Sequence, residues 1–139
     1  MNVEKHEETL KEVMATIEDA LNSEDIRMHQ RRLIAMISLG VQQIIEYYFH
    51  KLDIIKPGAQ IKHNWFAVSL EKIQIKLESI LTRKLDKIKN LDELLVLARR
   101  IEEGRNDLVY GSPVKSDKIL REKINLFLKI RELIEDEIK

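Results

Sequence analysis

The chain has 139 residues, 44% of them apolar and 35% charged, and its 24 Lys and Arg balance 24 Asp and Glu to a net charge of zero. That length suits one domain around a single core, and the absence of cysteine excludes disulfides, thiolate zinc sites and a cysteine nucleophile. Zero net charge argues against strong nonspecific nucleic-acid binding, and no apolar run approaches the roughly 18 residues a membrane helix needs, so a cytoplasmic protein without a membrane partner is expected.

The N-terminal segment is acidic, with two Lys against eight Asp or Glu over residues 1–25. Its apolar residues Leu10, Val13, Met14, Ile17, Ala20 and Leu21 recur at helical spacing. They predict a first helix from about Val3 to Leu21, with Asn2 as its N-cap. Asn22 and Ser23 read as a turn, and Ser23-Glu24-Asp25 as the start of a second helix reaching about Leu52. There Leu33, Ile34, Met36, Ile37, Val41, Ile44, Ile45 and Tyr48 cover more than one face, as in the central helix of a bundle. Gly40 costs that helix about 1 kcal/mol relative to Ala, which the close approach of a neighbouring helix would explain.

Residues 53–64 form the one long irregular segment, with Pro57-Gly58 as a turn. Asn64 is expected to cap a third helix from about Trp65 to Ile88, on the stripe Phe66, Leu70, Ile73, Leu77, Ile80, Leu81, Leu85 and Ile88. Asn90 caps a fourth, whose stripe is Leu91, Leu94, Leu95, Ala98 and Ile101. One heptad beyond Ala98 the same phase lands on Arg105, and the stripe resumes at Leu108 and Val109. Gly104 offers an early end, but the resumed stripe favours continuation to Tyr110, with Gly111-Ser112-Pro113 as the stop. Ser116 opens a fifth helix with Leu120, Ile124, Phe127, Ile130, Leu133, Ile134 and Ile138 inward. The pattern predicts an all-α fold: an antiparallel helical bundle of about five helices, one domain over residues 1–139.

A guanidinium on the buried phase of a helix is costly unless something pairs with it. Arg105 therefore either forms a salt bridge, to Glu102 or across to Glu46, or lines a cleft where an anionic ligand arrives. The middle of the chain has charge to spare for the second case: residues 26–100 carry fourteen Lys or Arg against seven acids. The same excess could also neutralise the acidic first helix.

Arg105-Asn106, late in a helical chain of this length and just before a Gly-Ser-Pro stop, resembles the motif of the HEPN superfamily. In that family an Arg, often followed by a polar residue such as Asn, is separated from a His by four to six intervening residues. The resemblance implies an all-helical homodimer in which two motifs face each other across a cleft, where active members cleave RNA without metal. It also implies a prokaryotic setting, commonly a toxin–antitoxin or defence system with a nucleotidyltransferase-type protein partner. By that resemblance the catalytic positions are Arg105, Asn106 and Tyr110. Tyr110 stands where the family has His. Imidazole titrates near 6.5 and can both take and give a proton near neutrality, whereas a phenol near 10 stays protonated. The motif keeps the phosphate-binding Arg, whose planar fork suits phosphate, and loses the proton-transfer group.

Lys62 and His63 make the long segment basic, and Trp65 and Phe66 follow them. Such a set could clamp RNA or a nucleotide by charge and stacking, or the aromatics could anchor the core while the lysine stays solvated. Glu46 and His50 form an i, i+4 pair but fall short of a metal site. Arg27, Arg31 and Arg32, with Arg83, Lys84, Lys87 and Lys89, read as solvated helix faces. No Gly-rich phosphate loop, Gly-x-Ser-x-Gly or His-Glu-x-x-His occurs, so no cofactor or metal is expected. Three functions stay open: a dimeric HEPN-like domain binding RNA or a nucleotide phosphate with little or no cleavage, an interaction module with Arg105 in a structural ion pair, and an RNase whose base is another histidine such as His29 or His50.

Overall fold

The computed structural model describes residues 3–138, and those residues form an all-α bundle with no strand among them. Its α-helices are α1 (Val3–Leu21), α2 (Gln30–Lys51), α3 (Leu70–Glu78), α4 (Leu91–Glu102), α5 (Arg105–Tyr110) and α6 (Lys118–Glu137). None of them is long and apolar enough to cross a membrane. The Asn2 cap expected for the first helix lies outside the described residues.

As its two-sided apolar pattern predicts, α2 is central, with α1, α4, α5 and α6 packed against it. Gly40 explains how closely they approach. A methyl group there would lie 2.8 Å from Phe127 Cε1 on α6 and 2.9 Å from Val13 Cγ1 on α1. The turn into α2 is a short 3-10 segment, Ile26–His29, begun by Asp25, whose carboxylate accepts from the Arg27 backbone N–H at 3.0 Å.

Three helices differ from their predicted extents, the second because it starts at Gln30, after that 3-10 turn, and not at Ser23-Glu24-Asp25. The expected third helix, Trp65 to Ile88, is instead a 3-10 turn (His63–Ala67), the nine-residue α3 and a second 3-10 turn (Leu85–Lys87). Ser69, and not Asn64, caps α3 by accepting from Lys72 N–H. Beyond Glu78 the chain turns because its backbone finds non-local partners. Lys56 N–H donates to Ile80 O at 2.8 Å, and Thr82 N–H to Ile54 O at 2.7 Å, bracketing an antiparallel bridge between Ile55 and Leu81. Burial still follows the predicted stripe: Phe66, Ile73, Leu77, Leu81, Leu85 and Ile88 all join the core.

The expected fourth helix breaks at Gly104, which sits in the left-handed region at φ +70°. Residues 91–110 are therefore two helices, α4 and α5, and not the single helix that the resumed stripe suggested. Asn90 also has positive φ, and its side chain does not cap α4. Its amide donates instead to Glu137 Oε1 at 2.9 Å, tying the start of α4 to the end of α6.

Candidate functional site

The site is set by how α4 ends. Lys123 lies on the inward phase of α6 and is 97% buried, yet its ammonium is satisfied. It donates to the carbonyls of Arg100 at 2.5 Å and Glu103 at 2.7 Å, covering acceptors that a helix C-terminus leaves open. A cation at the negative end of a helix is well placed, although burial pushes the Lys123 pKa below its ordinary value. With those carbonyls held, the chain reverses through Gly104 and α5 begins at Arg105.

Arg105 is half-buried. Its Nε donates to Ser38 Oγ on α2 at 2.9 Å, and its Nη1 to the neighbouring Asn106 Oδ1 at 3.0 Å. Among the described residues no carboxylate lies within ion-pair distance, and Nη2 makes no hydrogen bond. Both acids that the sequence offered as partners are engaged by one short segment of the irregular loop. Buried Glu46 accepts from the Ile61 backbone N–H. Glu102 accepts from His63 Nδ1 at 2.9 Å. Gln42 completes the clamp by donating to Ile61 O at 2.9 Å. The loop thus removes the counter-ions and leaves the guanidinium anchored by neutral oxygens.

Asn106 and Tyr110 follow on the outer face of α5, one turn apart. Tyr110 is 76% exposed, its ring open to the surroundings. His63 is drawn to Glu102, the last residue of α4, so Lys62-His63 and Arg105 flank the same helix end. Lys62 is exposed. Phe66 is core, and Trp65 is half-buried with the Lys76 ammonium 5.9 Å from its ring centre.

The other end of α5 is latched to α2. Gln30, buried at the start of α2, donates to Leu108 O at 2.9 Å and Ser112 O at 3.3 Å, and accepts from Val114 N–H at 2.9 Å. Arg31 donates to Gly111 O and Arg27 to Lys115 O, each at 2.8 Å. Gln30 and Lys123 were not singled out in the sequence. Both are polar residues on an apolar phase, the criterion that drew attention to Arg105.

A second polar group is buried away from this site, between α1 and α2. His6 is wholly inaccessible; its Nδ1 donates to Gln43 Oε1 at 2.7 Å, and its Nε2, 3.7 Å from Glu46 Oε2, has no hydrogen-bond partner. Burial pushes Glu46 up and His6 down from their ordinary pKa values, so each resists its charged form. His50 lies beside His6, ring centres 5.0 Å apart and planes tilted by 41°. Twelve residues of α2, about 18 Å at 1.5 Å per residue, separate it from Ser38. His29 lies at the Gly111 end, where its Nδ1 accepts from Arg32 Nη2 at 2.6 Å. Among the described residues no group of three or more His, Asp or Glu is arranged to hold a metal ion.

No family model, no curated protein and no solved structure matches the chain.

Proposed function

We propose that this is a HEPN-like domain that binds a phosphate of RNA or of a nucleotide at Arg105, acts as a homodimer, and cleaves weakly or not at all. One observation carries the reading: Arg105 is held in place by Ser38 and Asn106 while both candidate carboxylates are bound to residues 61–63, so its charge has no counter-ion among the described residues. A guanidinium positioned by neutral oxygens with one nitrogen unbonded suits an arriving phosphate oxygen. The limited chemistry follows from Tyr110, a phenol where a base near neutrality is needed. The two histidines considered as substitutes do not stand beside Arg105 within one protomer: His50 is near the far end of α2 from His29, beside His6, and His29 is bound by Arg32. The two-motif cleft and a nucleotidyltransferase-type protein partner rest on the family resemblance.

The test is Arg105→Ala, measured for both binding and stability. No carboxylate is left buried and unpaired by this change, so the expected loss of stability is about 1.5–3 kcal/mol, the size of a charge-assisted hydrogen bond such as that to Ser38. Binding of a short RNA is expected to fall at least tenfold. Were Arg105 a structural ion pair, as an interaction module would have it, the cost would be about 3–5 kcal/mol, with no ligand to lose. Light scattering at micromolar concentration checks the dimer, and a monomer there contradicts it.

A further inference from the structure

The seam between α2 and α5 carries more positive charge than Arg105 alone. Arg105 is fixed on Ser38, and Arg31, two turns earlier on the same face of α2, is fixed on Gly111 O. Seven residues at 1.5 Å each put positions 31 and 38 about 10 Å apart along α2. Tyr110, 76% exposed, precedes Gly111 directly and lies about 7.5 Å along α5 from Arg105. Beside Arg31 the surface opens into a notch of about 240 Å³, lined by residues 27–32 and Pro113. Of its three arginines only Arg27 is neutralised, by Asp25 at 2.9 Å. Arg31 bonds a carbonyl and Arg32 an imidazole, and among the described residues neither has a carboxylate within ion-pair distance. At about 100° per residue around α5, Asp107 lies about 160° and Tyr110 about 140° from Arg105, so both face away from it. Met28, 82% exposed, adds an apolar surface to the notch wall.

We propose that the Arg31–Arg32 notch is a second phosphate subsite, and that the ligand is a single-stranded polynucleotide running from Arg105 past Tyr110 to the notch. The inference rests on Arg105 as a phosphate site and adds to it the length and chemistry of the ligand. The two guanidiniums are held by different partners, Ser38 Oγ beside the start of α5 and Gly111 O just past its end, and a strand supplies phosphates in series to reach both. At the Gly111 end, next to the carbonyl that Arg31 bonds, the exposed phenol ring offers a face for a base, the combination of cationic track and aromatic platform that single strands use. A mononucleotide fills one subsite and leaves the other empty.

The experiment is fluorescence anisotropy with a labelled six-nucleotide single-stranded RNA, competed by uridine monophosphate and by hexaglutamate. The variants are Arg105→Ala, Arg31→Gln, Arg32→Ala and Tyr110→Ser. Gln at 31 keeps an N–H for Gly111 O while removing the charge, and Arg32 touches only exposed-side groups, so if one variant misfolds by circular dichroism the other carries the test. Expected are weaker hexamer binding by Arg31→Gln and Arg32→Ala, with monophosphate competition unchanged. The slope of log K against log salt should fall by about 0.7 for each phosphate the protein no longer neutralises, and Tyr110→Ser should cost about five- to a hundredfold in affinity. Hexaglutamate should compete poorly. Loss of hexamer binding in Arg105→Ala but in neither notch variant overturns the second subsite and leaves the Arg105 site standing. Wild-type binding in Arg105→Ala overturns that site. Competition by hexaglutamate equal to that of RNA overturns the assignment to a polynucleotide.

Discussion

Replacing Glu46 by Gln should stabilise the protein, although it alters one of its most buried polar side chains. Glu46 is 3% exposed, and its burial outweighs the backbone hydrogen bond from Ile61, so its carboxyl keeps its proton to higher pH than in the unfolded chain. A group whose folded pKa is raised contributes stability at low pH and loses it as pH rises through that folded value. Gln has no charge to desolvate, its oxygen can keep the Ile61 N–H, and its amide can donate to His6 Nε2, which Gln43 leaves as an orphaned acceptor. Filling one buried acceptor is worth about 0.5–1.5 kcal/mol, or roughly 2–5 °C in melting temperature for a domain of this size. Urea unfolding at pH 5 and pH 8 is the assay. The gain should be larger at pH 8, where wild-type Glu46 is driven toward its penalised ionised form, and smaller at pH 5. Destabilisation by Glu46→Gln at both values, or a gain that ignores pH, would refute the reasoning. Glu46→Ala is the control. It strips the Ile61 N–H of its acceptor, leaves His6 Nε2 without a partner as before, and should cost about 1–3 kcal/mol.

Gly40→Ala should destabilise despite the better helix propensity of Ala, because the gain of about 1 kcal/mol is opposed by overpacking of about 1–3 kcal/mol against Phe127 and Val13; thermal melting reads the sign. Lys123→Met removes the donor to Arg100 O and Glu103 O and should cost about 1–3 kcal/mol, with faster amide exchange at Gly104 and Arg105 than at the α1–α2 interface. Gln30→Ala abandons two carbonyls and one N–H at the other end of α5, and its cost of about 2–3 kcal/mol should appear in the same equilibrium unfolding measurement.

Apolar spacing reports burial, and burial was legible from the sequence. Val13 and Ile17 on α1, the faces of α2, and Leu120, Ile124, Phe127, Ile130 and Ile134 on α6 lie where the stripes put them. Spacing does not report where a helix stops when a distant segment decides it. The third helix ends because residues 54–56 pair with 80–82, far along the chain, and that pairing has no local signature. The break at Gly104 was legible as an option, since glycine at a helix end is a common stop, but Leu108 and Val109 mimicked a continuing stripe across it. Arg105 was reached through a register that the break abolishes, yet it is half-buried and has no carboxylate partner among the described residues. Its anchor Ser38 reads in the sequence as one more small residue on a packed helix. The same rule, a polar side chain on an apolar phase, marks His6, Glu46 and Lys123, each of them buried and engaged by other parts of the chain.

The central claim is that the Arg105 guanidinium is free to meet an anion. Its Nε–H resonance in a nitrogen-15 labelled sample, assigned by its loss in Arg105→Lys, tests this directly during titration with uridine monophosphate. A saturable shift of the Arg105 signal, larger than that of Arg99 or Arg121, is the predicted result. An Arg105 signal that stays fixed while other arginines move would contradict the account.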